Sequence, residues 1–336
     1  LYLTTDRFAL AAEQFGRDFD VPHFTDPANL IACDAVDLVH VATPPSSHHE
    51  LVMPALRAGK HVLCEKPLAM NLDEGDEMLA AAEQGRLLCP VNFVLHYNPV
   101  THAARRVLDT GVLGQVLSGR LTNCAKDTPL PPDHWFWDKS VCGGIFIEHG
   151  VHFFDLYRYW IGPGEVVAAQ TLTREGTTQE DRVHCVVRHD NGALVSHYHG
   201  FDQITPMDRA DHRMVCELGD VRVFGWIPLC LEVHAAVNAE GLAALQQAVG
   251  EATVETIETF DEHPLRGRGQ MRDVDRRVRL RLAADIDKES LYAQNLRDLL
   301  ADQLRGAADP DHRRLVTERD GRQALALACE ATEMAG

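Results

Sequence analysis

The chain has 336 residues, with 32 Lys and Arg against 50 Asp and Glu, a net charge of −18, 45% hydrophobic residues and 24% charged ones. That is ordinary globular composition for about two domains, and it argues against disorder. An acidic surface repels phosphate backbones and anionic lipid, and no apolar run nears the ~18 residues of a membrane span. Nine scattered cysteines form no CxxC, so the expectation is a cytoplasmic protein with no nucleic-acid or membrane partner and no disulfide framework.

Residues 1–92 alternate strand and helix. "LYLTT" (1–5) reads as a short strand ending at Asp6-Arg7, and "FALAAEQFG" (8–16) as a helix stopped by Gly16. "VDLVHVAT" (36–43) is a β-branched strand closed by Pro44-Pro45. Ser47 and Glu50 then have the spacing of a capping box for a helix through Arg57. "KHVLC" (60–64) is the next strand, Asn71 to Gln84 a helix, and "RLLCPV" (86–91) a further strand. This spacing means βαβ units and a parallel, doubly wound sheet.

Residues 98–111 read as a linking helix, after which the pattern changes. Alternating runs at 115–125, 166–173, 181–189, 192–201, 213–220 and 221–226, separated by Asn-Gly, Gly-Asp or Pro turns, predict an antiparallel sheet. A helix from about Ile145 to Trp160 interrupts them, and 290–304 and 320–331 form two amphipathic helices. In "RRVRLRL" the arginines alternate with apolar residues, as on the solvated face of an edge strand. The fold class is therefore α/β: a Rossmann-type domain (1–95), then a C-terminal α+β domain (96–336) with a large open sheet.

Ligands of parallel α/β sheets bind at the carboxyl ends of strands. Asp6, Thr43-Pro44-Pro45 and Glu65-Lys66-Pro67 fall at three such ends. Singly each has a plain reading as a turn residue, a strand stop or a solvated lysine; together they mark a cofactor cleft. A second cluster, Gly143-Gly144 through Asp155, sets Glu148 and His152 at i and i+4 on one helix face. A carboxylate there would fix the imidazole, and the helix start would keep it neutral and ready to accept a proton. An ordinary helical ion pair is the competing reading. His149-x-x-His152 and His197-x-His199 lack a third ligand, so no metal is expected. The chain opens on Leu1, and no Gly-x-Gly-x-x-Gly stands at a strand–helix junction. The reading is that the first strand, turn and helix of the dinucleotide fold, roughly 30 residues, belong ahead of Leu1.

"DLVHVATPPSSHHELVMPALRAGKHVLCEKPLAMN" and "WFWDKSVCGGIFIEHGVHFFDLYRYWIG" resemble the two signatures of the Gfo/Idh/MocA family, the glucose-fructose oxidoreductase and inositol dehydrogenase relatives. The resemblance runs from Leu1 to about Ala331. It implies NAD-dependent (or NADP-dependent) hydride transfer between the nicotinamide and a sugar, inositol or related polyol. Lys66 then matches the catalytic lysine, His152 the proton acceptor, and Glu148 the residue that orients His152 or binds a neighbouring hydroxyl. Asp6, Arg7, Thr43, Pro44, His48, Glu65 and Lys66 match cofactor-binding positions, with Asp6-Arg7 favouring NAD. Trp137, Asp138 and His149, with Trp135 and Tyr198, are the substrate candidates. Glu148 replaces the more usual aspartate, and His96 stands where arginine is common. The resemblance also implies a homodimer or homotetramer formed through the C-terminal sheet. A non-catalytic cofactor-binding sensor and an inactive truncated fragment remain as alternatives.

Overall fold

The computed structural model describes residues 2–3, 9–309 and 311–336; Asp6 and Arg7 lie outside the described residues. The first lobe runs β1 (Tyr2–Leu3), α1 (Ala9–Phe19), β2 (His23–Phe24), α2 (Pro27–Ile31), β3 (Leu38–Val41), α3 (His48–Arg57), β4 (His61–Cys64) and α4 (Leu72–Gly85). Among the described residues its strand pairs are parallel and form two two-stranded sheets, β1 with β2 and β3 with β4. The segment expected as a strand at 86–91 lies along β4 without becoming regular. Leu88 and Pro90 accept from the backbone N–H groups of Val62 (2.8 Å) and Cys64 (3.0 Å), and Asn92 N–H returns to Cys64 O (2.8 Å). Pro90 has no N–H to extend the ladder.

The second lobe begins with α5 (Pro99–Asp109), whose first turn is capped by Asn98 Oδ1 accepting from Val100 and Thr101. Then come β5 (Val116–Lys126), α6 (Lys139–Cys142), a π-helical turn (Phe146–Gly150), α7 (Val151–Ile161), β6 (Gly164–Thr173), β7 (Glu180–His189) and β8 (Leu194–Gln203). β9 (Arg209–Cys216), β10 (Gly219–Phe224), β11 (Cys230–Val237), α8 (Ala239–Val249), β12 (Thr253–Thr259), β13 (Leu265–Gly267), β14 (Gln270–Arg272), β15 (Arg276–Ala283), α9 (Lys288–Ala308) and α10 (Glu318–Ala335) complete it. Among the described residues the large sheet has nine strands, in the order β12-β15-β11-β10-β9-β5-β8-β7-β6. Its pairs are antiparallel except β5 with β8.

Two expectations need correction. The arginine-rich strand β15 is not an edge. β12 covers it, and Glu258 and Glu255 pair with Arg277 and Arg279. Ser47 does not cap α3. Its hydroxyl donates to Thr43 Oγ1 (2.7 Å) and Pro44 O (2.8 Å), closing a 3₁₀ turn over Pro45–Ser47 instead.

The cores explain how the lobes are joined. Phe153, Leu156 and Tyr157 on α7 are fully buried against the large sheet, each such side chain contributing about 1.5–3 kcal/mol by leaving water. Val151 and Phe154, on the other flank of α7, join the core of the first lobe, and α10 returns from the chain's end into that same core. There Glu318 accepts from Cys89 N–H (2.9 Å), and Arg322 pairs with Asp76.

Candidate active site

Three strand ends of the first lobe form a ledge. Thr43 follows β3, Glu65 and Lys66 follow β4, and Asn92 follows the Val91 bridge. Glu65 Oε1 accepts from Asn92 Nδ2 (2.7 Å) and lies 3.1 Å from His40 Nε2. Burial pushes the Glu65 pKa upward, but the bonds from His40 and Asn92 outweigh it and hold the group below the ordinary carboxylate range. His48 is fully buried behind the ledge. Its two ring nitrogens face the carbonyls of Pro67 (2.7 Å) and Thr43 (2.9 Å), so it ties the two strand-end loops together rather than lining the cleft.

The opposite wall is the π-helical turn leading into α7. Gly143 and Gly144 make the entry, with φ of 83° and 92°. A Cβ on Gly143 would lie 2.7 Å from Ile147 Cγ2, so neither the dihedral nor the space admits another residue. Glu180 fixes the start of the turn, accepting from Ile145 N–H (2.8 Å) and pairing with Lys139 (2.6 Å). Wider π winding changes which residues share a face. Glu148 accordingly does not orient His152. Its carboxylate takes Lys66 Nζ, which also donates to the Glu148 carbonyl at 2.8 Å. Lys66 thus crosses from one lobe to the other.

His152 projects into the cleft between the rings of Phe93 and Trp226. Burial first, and the charge of Lys66 second, lower its pKa to about 3, with Glu65 opposing. Desolvation and the charge of Lys66, more than the helix start, favour the neutral imidazole. His149 also lines the cleft, with Asn123 Nδ2 donating to its Nε2 (3.1 Å). The cleft measures about 340 Å³, and Lys126, Phe136, Phe201, Trp226 and Tyr292 complete its walls.

The structure therefore brings together Glu65, Lys66, Glu148, His149 and His152. Thr43 and Pro44 stand on the adjoining strand end. Trp137 and Asp138 are elsewhere: Trp137 donates to Pro131 O (3.1 Å) and stacks on Arg174, and exposed Asp138 caps α6 through Ser140. Tyr198 is on β8 between His197 and His199, which face the core, so the strand's alternation turns it to the other face of the sheet. His96 is buried against Asp155 (2.5 Å), which in turn bonds Arg158 (2.9 Å), a link between α7 and the chain before α5. Asn92, Lys126, Trp226 and Tyr292 were not foreseen. Only Asn92, the residue just beyond the expected strand 86–91, carried a sequence signal.

A dinucleotide suits this ledge. The oxygen Asn92 Oδ1 is buried without a partner beside Glu65, an acceptor awaiting an N–H or O–H donor of the kind a carboxamide or ribose supplies. Glu65 offers a second acceptor, and the strand ends are where parallel sheets place such ligands. Thr43, Pro44, Glu65 and Lys66 would hold the nicotinamide end, with His48 behind them. Among the described residues no group of three or more His, Cys, Asp or Glu is disposed to hold a metal ion.

Fold and site together define a two-lobed α/β protein with a cleft between a lobe of parallel strand pairs and a lobe built on one large sheet. Two family profiles match the chain: "Oxidoreductase family, NAD-binding Rossmann fold" over residues 4–93, and "GFO/IDH/MocA C-terminal domain" over residues 101–219. The chain belongs to the Gfo/Idh/MocA oxidoreductase family, and its first lobe is that family's NAD-binding Rossmann domain. Among curated relatives, 1,5-anhydro-D-fructose reductase of Ensifer adhaerens is 32% identical over 53% of this chain and 54% of its own length. Myo-inositol 2-dehydrogenase of Thermotoga maritima is 30% identical over 51% and 52%. The chain spans about half the length of these relatives. A solved structure of levoglucosan dehydrogenase in complex with NADH and levoglucosan superposes with a TM-score of 0.77 at 22% identity, covering 99% of this chain and 87% of that one. At that identity the likeness is one of fold.

Proposed function

We propose that the protein is an NAD-dependent dehydrogenase that interconverts a hydroxyl and a ketone on a sugar, inositol or related polyol. The observation that carries this reading is the convergence of Lys66 from the first lobe and His152 from the second on one cleft at the strand ends. The nicotinamide, when bound, supplies the hydride acceptor. Lys66 has three N–H donors and spends two on the Glu148 carbonyl and carboxylate, which leaves one for the substrate oxygen. That donor stabilises negative charge as it develops there, by about 3 kcal/mol if it acts as an oxyanion donor. Neutral His152, with no protein group on its ring nitrogens among the described residues, receives the hydroxyl proton. Trp226, Phe136 and Phe201 keep the cleft poor in water. The related curated enzymes that act on anhydro-sugars and inositols support a polyol substrate.

We extend the reading to assembly. Leu117, Val167, Leu172 and Leu194 are large apolar side chains left exposed on β5, β6 and β8, which supports pairing of two copies through the sheet as a dimer or tetramer.

The test is NADH formation from NAD⁺ across a panel of polyols. Lys66→Ala and His152→Ala are each expected to lower kcat/KM by about 10²–10⁴-fold. Turnover that survives both substitutions would reject the assignment.

A further inference from the structure

The cleft contains a cation that the mechanism above does not use. Lys126 ends β5 and lines the cleft beside Phe201 and Phe136. The charges around it are already matched. Lys66 is paired with Glu148, Glu65 is hydrogen-bonded by His40 and Asn92, and Lys139 is paired with Glu180. Asp127, next in sequence and the obvious partner, is taken by Arg174 at 2.9 Å. Among the described residues no carboxylate pairs with Lys126, in a chain whose acids outnumber its Lys and Arg 50 to 32. Five of those 32 are lysines, and two of the five, Lys66 and Lys126, line this one cleft, which makes a chance surface lysine a poor account of it. The backbone adds a second observation. The pairing of β5 with β8 shifts register between Ala125 and Lys126, and irregularities of this kind re-aim the side chain that follows.

We propose that Lys126 anchors a carboxylate on the substrate, so that the substrate class is a sugar acid, an aldonate or uronate, and not a neutral polyol. This rests on the dehydrogenase reading and narrows it. The carboxylate is a spectator. Hydride leaves the carbinol carbon for the nicotinamide, the hydroxyl proton goes to His152, and the bond order of that C–O rises from one to two. A carboxylate fits better than a phosphate ester, because a dianion calls for arginine forks or a helix start, and among the described residues no arginine lines the cleft.

The experiment compares D-gluconate and D-galacturonate with sorbitol and D-galactose, with glucose 6-phosphate as a phosphate arm. Steady-state oxidation is measured with NAD⁺, and binding by calorimetry with NAD⁺ present. The acids are expected to be favoured at least ~10-fold in kcat/KM, and Lys126→Met to reduce that preference by about 10–100-fold through KM. Lys126→Arg should keep most of it, and Lys288→Met, which removes the same charge from an exposed helix start, should leave the ratio unchanged. Acids that bind in a Lys126-dependent way without turnover would uphold the anchor and reject the dehydrogenase. Neutral sugars oxidised as well as the acids, a preference unmoved by Lys126→Met, or a stronger response to the phosphate would each overturn the proposal.

Discussion

Glu148 shows how a carboxylate that lines the cleft can have another partner than the helix spacing suggests. Its place in the motif marked it, but a helical count assigned it to His152, whereas the folded chain gives it to Lys66. Its role is to hold an ammonium from the other lobe at a fixed point, which is positioning by charge and by two contacts at once. Glu148→Gln keeps the shape and loses the charge. A fall of about 10–100-fold in kcat/KM is expected, with Glu148→Asp recovering part of it; equal rates for all three would show that Lys66 is placed without help. His152 carries a related expectation. Burial and Lys66 hold its pKa near 3, so the imidazole is unprotonated through the working range. Its protonation therefore puts no limb near ~6.5 on the pH profile of polyol oxidation, the pKa of an unperturbed histidine. A limb there that His152→Asn removes would contradict the burial seen in the cleft. Lys66, Glu65 and His152 were legible because sequence motifs name strand ends and helix faces. Lys126, Trp226 and Tyr292 were not, since each reaches the cleft from a distant element and no local pattern announces it.

The elements that the sequence shows best are those whose burial alternates regularly. β7 and β8 alternate inward and outward residues over most of their length, and both stood out as strands. β12 did not, because "TVETIET" is exposed at six of its seven positions and has no buried face to betray it. It exists because the backbone of β15 needs partners and its arginines need acids. The π turn at Phe146–Gly150 was equally hidden, since its sequence is helical and only its glycine entry is unusual. That entry is testable. Gly143→Ala must place a side chain at φ 83° and against Ile147. A loss of about 1–3 kcal/mol is expected, seen as a fall in melting temperature of roughly 1–2 °C per kcal/mol in a protein of this size. Because the same turn carries Glu148, kcat should fall as well. A variant as stable and active as the parent would mean that the glycine pair does not set the turn.

At the scale of the whole molecule, the core beneath the cleft is unusual in being built partly of histidine. His197 and His199 on β8 and His212 on β9 are buried, and among the described residues all six of their ring nitrogens lack hydrogen-bond partners. They pack as aromatic rings would. Tyr157 meets His197 with ring centres 4.9 Å apart, Phe153 meets His199 at 5.3 Å, and Trp160 meets His212 at 5.4 Å. Burial lowers the pKa of His199 and His212 to about 3, as in His152, and holds His149 and His197 well below the ordinary value. A depressed histidine pKa means that the folded state binds fewer protons than the unfolded chain. Stability is therefore complete above ~6.5 and is lost as pH falls from there toward ~3. His152, His199 and His212 each cost about 1.4 kcal/mol per pH unit in that window, and His149 and His197 add to the loss in the same direction. Set against a typical total of about 5–15 kcal/mol, that loss is large enough to unfold the large-sheet lobe within the window. Unfolding followed by circular dichroism from pH 8 to pH 4 should show a plateau and then a steep, multi-proton fall. Replacing His197 and His212 together by phenylalanine, which keeps an aromatic ring in each place, should move the midpoint downward and reduce the number of protons taken up. A shallow transition governed by one proton, or a double variant whose curve runs parallel to the parent's, would show that these imidazoles are hydrogen-bonded or hydrated in solution.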